Sequence, residues 1–131
     1  MKHSRYGWWP GGSERGAAML EMALVLPILI LLLFGIVEFS KGYNAKTELT
    51  GAVREGAREL ALGKDPDEVE AATRDAAPGI TLTSVTVGGG CPPDGSGKAI
   101  VTATYNLDYN IPLFDSGTWT ITSRGVMRCG L

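Results

Sequence analysis

The sequence predicts an α+β chain: a long N-terminal helix that passes from membrane-spanning to amphipathic, a second short helix, and a small three-stranded antiparallel sheet. Three observations carry this. An uncharged run extends from Met22 to Val37. Beyond Phe39 hydrophobicity falls while a helical period persists. The last fifty residues then hold three runs rich in threonine and in β-branched or aromatic side chains.

The stretch GAAMLEMALVLPILILLLFGIVEF, Gly16 to Phe39, is long enough to cross a bilayer. About 20 apolar residues suffice for a helix spanning roughly 30 Å of hydrocarbon. A single span must satisfy its backbone donors internally, which leaves the helix as its only open form. Two residues interrupt its uniformity. Pro27 removes one backbone hydrogen bond and is expected to kink or loosen the helix near Ala23. Glu21 places a carboxylate near the start of the span, at a cost of about 2.5–3.5 kcal/mol at mid-membrane and less near the end. It therefore needs a partner or a purpose, unless it simply rests at the headgroup boundary.

Residues 1–16 read as a leader. They are polar and glycine-rich, and they carry Lys2, Arg5 and Arg15 against Glu14, with no apolar core of their own. This basic flank puts the N-terminus in the cytoplasm and the rest outside. No small-residue cleavage site of the Ala-x-Ala kind follows the apolar run, so ordinary secretory cleavage there is disfavoured. The expected division is thus a leader over 1–16, a membrane helix over 17–39 and an outer α+β domain over 40–131.

In that outer part, Ala45, Leu49, Ala52, Val53, Gly56 and Leu60 recur at three- and four-residue steps, with the charged residues elsewhere. The helix is therefore expected to continue to about Leu62, a length of roughly 69 Å from Ala17. Its apolar face is assigned to packing on the small domain, in preference to a helix-to-helix filament contact. Gly51 and Gly56 weaken the helix but let another backbone approach. Gly63 ends it. A second helix is expected from Asp65 as cap and Pro66 as first residue to about Ala77, with Glu68 placed to reach back. Strands are expected from Ile80, Lys98 and Thr118, joined by Gly88 to Gly97 and by DYNIPLFDSG from Asp108. Trp119 is expected in the core.

Chemistry is mostly excluded. The chain's one histidine, His3, lies in the leader, so the processed chain has no histidine-dependent triad or metal site. GGGCPPDGSGKA has Pro92 where a phosphate loop needs glycine and Ala99 where it needs a hydroxyl, and reads as a turn. Asp65, Asp67, Glu68 and Glu70 lack the loop glycine of a calcium site and read as helix-terminal acids. Trp8 and Trp9 suggest a membrane-surface contact of the leader or no function. The net charge is −2, and with the leader's +2 removed the remainder carries −4, which argues against nucleic-acid binding. No enzyme activity, metal or cofactor is expected.

A basic leader ending in Gly16, an apolar span directly after it, and Glu21 as the fifth residue beyond that glycine resemble the processing site of type IV pilins and their relatives. The longer pattern ERGAAMLEMALVLPILILLLFGIVEF, continued by YNAKTELTGAVREGARELA, is similar to the TadE-like minor pilins, or pseudopilins, of tight-adherence (Tad/Flp) pilus systems. The likeness covers Glu14 to Leu62 and departs at Met22, where many relatives carry an aromatic residue. It implies a pilin-like lollipop fold and a prepilin peptidase that cuts between Gly16 and Ala17 and methylates the new amine. It also implies a place in the bacterial inner membrane, then in a pilus or at the cell surface, for adhesion or secretion. The implied partners are that peptidase, other minor and major pilins, the inner-membrane assembly platform and the lipid bilayer. Glu21 would neutralise the terminal amine of a neighbouring subunit. Independently of the resemblance, a carboxylate four residues from a freed Ala17 amine shares its helix face and favours the positive end of the helix dipole. The alternative is an uncleaved single-pass membrane protein whose outer domain scaffolds or binds a partner.

Cys91 and Cys129, the only cysteines, both fall outside the span, where disulfides persist, and are expected to pair. The first and third strands of a three-stranded meander stand about 9.6 Å apart, too far for a direct bridge. Either the loop around Cys91 folds over, or the third strand lies beside the first. Free or intermolecular cysteines are the competing state.

Overall fold

The computed structural model describes residues 13–130. It contains helix α1 (Ser13–Ala61), helix α2 (Pro66–Asp75) and strands β1 (Ser84–Gly90), β2 (Lys98–Ile111) and β3 (Asp115–Arg128). This is the α+β arrangement expected. The chain divides into two units, at Ile36 and Val37, within α1. The expected leader contacts of Trp8 and Trp9 fall outside the described residues, as does His3.

The first unit is helix throughout its described length. The helix starts at Ser13, four residues before the expected Ala17, with Glu14 in the first turn, where a carboxylate complements the helix dipole. It continues through Pro27, whose missing N–H would otherwise reach back to Ala23. Its large apolar residues from Met19 to Ile36 are exposed, apart from half-buried Leu31.

The second unit has a core of small and branched side chains. Leu49, Val53 and Ala57 of α1, Val69 of α2, and Val101 and Ala103 of β2 are all buried. Strand alternation turns the odd-numbered residues of β2 toward this core, which is why the burial pattern of Lys98–Ile111 alternates over most of its length. The amphipathic face of α1 thus packs on its own sheet. Two glycines permit the close approach. A Cβ on Gly56 would collide with Thr73 of α2, and one on Gly125 with the Val53 carbonyl of α1. Gly51, expected to serve a similar approach, has open space around it. It lies on the outward side of the helix, away from the sheet.

Helix α1 ends in a Schellman motif. The Lys64 N–H donates to the Glu59 carbonyl (3.3 Å) and the Gly63 N–H to Leu60 (3.0 Å), with Gly63 at φ +86°. An ion pair between Lys64 and Glu59 (2.5 Å) reinforces it. Asp65 occupies the N-cap position of α2 but its side chain makes no capping hydrogen bond, and α2 ends at Asp75, two residues short of Ala77. The first turn keeps Pro66, Asp67 and Glu68, so fixed φ and the dipole supply the start signal that the cap bond does not.

The sheet is antiparallel in the order β1-β2-β3. β1 begins at Ser84, four residues after Ile80, because Ile80 still bonds back to Ala77 and pairing with β2 starts at Ser84. The largest difference from expectation is the second connection. DYNI and DSG are not loop but ladder, paired from Asp108 opposite Thr118 to Ile111 opposite Asp115. Only Pro112, Leu113 and Phe114 form the turn. Side-chain bonds across the ladder hold these polar residues in strand: Thr118 donates to Asp108 (2.7 Å) and Tyr109 to Asp115 (3.0 Å). The hairpin consequently outruns the core, and Trp119, opposite the buried Leu107, is 49% exposed instead of buried. It packs on Tyr109 with ring centroids 4.8 Å apart.

Cys91 and Cys129 are disulfide-bonded, with Cα atoms 5.3 Å apart. The third strand does not lie beside the first, so the loop solution is the one adopted. The last shared row of the sheet is Gly90, Lys98 and Arg128. Each cysteine is one residue past it, beyond the end of β2, where Gly97 (φ +106°) lies against Gly90 and its carbonyl accepts from the Cys129 N–H (3.4 Å). Without a central side chain at that row, the two edges come within disulfide distance.

Candidate functional site

No described group of histidine, cysteine and acidic residues could hold a metal ion. The cleft beside the disulfide, lined by Arg58, Leu62, Pro92 and Gly130 among others, contains no nucleophile or general acid–base pair. The sequence features that ask for an explanation lie instead in the first unit.

Gly16, Ala17 and Glu21 all sit on α1, and all are exposed. Ala17 and Glu21 are four residues apart, which stacks them on one face of the helix. Gly16 is unlike the glycines of the second unit. A Cβ there would meet nothing within 4 Å, and no unusual φ requires glycine. Its cost in a helix interior, about 1 kcal/mol relative to alanine, has no compensation within the described chain. Glu21 likewise has no ion-pair partner among the described residues, in contrast to Glu38, whose carboxylate takes Lys41 at 2.8 Å. Among the described residues, neither finds an internal reason to be what it is.

Exposed Glu14 and Arg15 precede them, and from Met19 to Ile36 the exposed surface, Glu21 apart, is apolar. Leu20 is 66% exposed, and Met22, Leu24 and Ile28 are similarly open. Among the described residues, α1 is the one helix long and apolar enough to cross a membrane. Pro27 lies within the same stretch. Gly16, Ala17, Glu21 and Pro27 thus lie along one helix, while Cys91 and Cys129 are joined in the second unit.

Sequence reasoning passed over another feature, the turn Ile111-Pro112-Leu113-Phe114. The Phe114 N–H donates to the Ile111 carbonyl at 3.1 Å, and Leu113 holds φ +72°, the only non-glycine residue in that region among those described. Pro112 followed by a positive φ is the pattern of a type II turn, whose third position favours glycine or asparagine. The signal available in the sequence was an apolar Pro-Leu-Phe where turn chemistry calls for polar residues.

Residues 16–58, about a third of the chain, are similar to the family model described as TadE-like protein. The match begins at Gly16 and ends within the amphipathic part of α1, so the sheet lies outside it. No curated protein and no solved structure matches the chain.

Proposed function

We propose that this chain, TadE-like over residues 16–58, is a minor pilin or pseudopilin of a Tad/Flp-type pilus, a structural and not a catalytic subunit. In this reading it is held in the bacterial inner membrane by the apolar part of α1, with its α+β domain outside, and is cut between Gly16 and Ala17 by a prepilin peptidase. The observation that carries the reading is the pairing of Gly16 and Glu21, two residues with no role inside the described chain, five positions apart at the head of an apolar helix.

A peptidase subsite that excludes side chains explains a glycine that the fold does not need. Glycine also lowers the cost of opening the helix at the bond to be cut. After cutting, the amine of Ala17 and the carboxylate of Glu21 stand on one face, within reach of each other or of the same groups in a neighbouring pilin. Desolvated between helices, that pair fixes axial register more than it adds stability. Exposed leucine, isoleucine and phenylalanine along the helix first meet lipid, and later the helices of sister pilins drawn from the assembly platform.

The test is the intact mass and N-terminal residue of the protein recovered from native membranes and from filaments. The mature chain is expected to begin at Ala17. Gly16→Val should remain full length, and Glu21→Gln should insert and be processed but enter filaments poorly, since losing a charge eases membrane entry while removing the amine's partner. Intact Met1 in assembled filaments would overturn the proposal.

A further inference from the structure

We infer that the β2–β3 hairpin tip, Ile111 to Phe114, is a second membrane contact that dips into the outer face of the bilayer. The inference rests on the membrane-spanning role proposed for the first part of α1.

Register within the second unit fixes where the tip lies. Toward the C-terminal end of α1, Gly56 faces Val101 and Val53 faces Gly125. Moving back along the helix, the Lys46 ammonium reaches the Thr122 carbonyl, and Gly42 faces Leu107. The hairpin therefore runs alongside α1 toward Val37, the residue at which the unit meets the apolar segment. Past Leu107 the ladder continues four residues to Ile111, about 13 Å at strand rise. From Gly42 back to Val37 is only about 7.5 Å at helical rise. On these spacings the tip extends at least as far along α1 as Val37, the first residue of this unit.

What arrives there is chemically suited to lipid. Leu113 is 102% exposed and Phe114 71%. Leu113 also adopts a backbone conformation that disfavours a branched side chain, and such strain persists where function asks for the side chain. Behind the tip, Tyr109 and Trp119 pack together while remaining accessible, an aromatic pair of the kind that settles at headgroup level. The neighbouring carboxylates, Asp108 and Asp115, accept hydrogen bonds from Thr118 and Tyr109. These acids favour a zwitterionic surface over an anionic one. An apolar turn immersed by about 5–10 Å, with its aromatic pair at the boundary, follows the geometry of interfacial anchors.

The test uses the full chain reconstituted in phosphatidylcholine bilayers, with Trp8, Trp9 and Trp119 changed to Phe and one tryptophan introduced by Phe114→Trp. Leu113→Trp provides a second reporter, and Leu29→Trp reports on the apolar helix. The Phe114→Trp and Leu113→Trp emissions are expected to shift to shorter wavelength and to be quenched about twofold by lipid brominated at shallow acyl positions. Deep quenching of Leu29→Trp with none at either turn position would overturn the hairpin contact and leave the membrane helix standing. Quenching at no position would overturn both. A blue shift at the turn without lipid quenching would mean that protein, such as a second copy of the chain, covers the tip, and would overturn the inference.

Discussion

The two halves of α1 have the same backbone and opposite relations to their side chains. Up to Ile36, large apolar residues are exposed and small ones have empty space beside them: Leu29 is 52% exposed and a Cβ on Gly35 would touch nothing. Val37, Phe39 and Tyr43 are still exposed, but from Ala45 to Leu60 the apolar face is buried and includes small side chains, and Gly56 sits where an added methyl would strike another element. Hydrophobicity thus serves two different solvents within one helix. In the first half it is matched to surroundings outside the chain. In the second it is matched to the chain's own sheet, where close approach matters more than side-chain size.

The largest effect that tests this contrast is loss of the disulfide. The outer unit has a thin core, and closing a loop of about 39 residues contributes roughly 4 kcal/mol by the chain-entropy model. Replacing Cys91 and Cys129 together by serine should lower the unfolding free energy of the outer unit by about that amount while leaving the helicity of the apolar segment intact. Denaturant titration of the reconstituted chain, followed by Trp119 fluorescence in a Trp8→Phe, Trp9→Phe background, measures it. An unchanged midpoint would show that the sheet edge needs no staple.

A smaller, paired test compares Leu49→Ala with Leu29→Ala. Leu49 is fully buried, and its truncation should cost about 2–5 kcal/mol in the outer unit. Leu29→Ala should leave hydrogen exchange of the β2 amides unchanged. Equal effects would mean that the two parts of α1 are one cooperative unit and would dissolve the comparison.

The smallest effect is electrostatic and sharpens the contrast at the hairpin. The Tyr109 hydroxyl donates to Asp115, and this bond holds its pKa above the ordinary value of 10.0, with partial desolvation and the carboxylate's charge adding to it. The shift favours the neutral phenol in the folded state. Its contribution is therefore complete below the unfolded value and is lost as pH rises through the higher folded value. Difference titration of phenolate absorbance against Tyr109→Phe should place Tyr109 above 10, and Asp115→Asn should bring it back down. No change with Asp115→Asn would remove the hydrogen bond as the cause.

Much of this was legible because it is local. The apolar run, its length and the amphipathic period of Ala45, Leu49, Ala52 and Leu60 are properties of neighbours along the chain, and they specified the helix and its buried face. Gly63 announced a helix end that the Schellman bonds complete. The spacing from Gly16 to Glu21 is likewise a sequence quantity, and both residues lie on α1. What went unread is non-local. DYNI and DSG look like loop residue by residue, and become strand only through bonds from Thr118 and Tyr109 across the ladder.

Three outcomes belonged to the tertiary structure alone. Trp119 has the composition of a core residue and the correct alternation, but burial depends on where the covering helix meets the sheet, and the core ends at Leu107. Two glycines, Gly51 and Gly56, were equivalent as letters. Only Gly56 faces Thr73 and Val101, because the helix phase relative to α2 and β2 is set by packing. The pairing of Cys91 with Cys129 could be expected from compartment and count, but its route could not. That depended on the central strand ending one row before both cysteines, so that two edges held apart by a strand along the sheet could meet beyond its end.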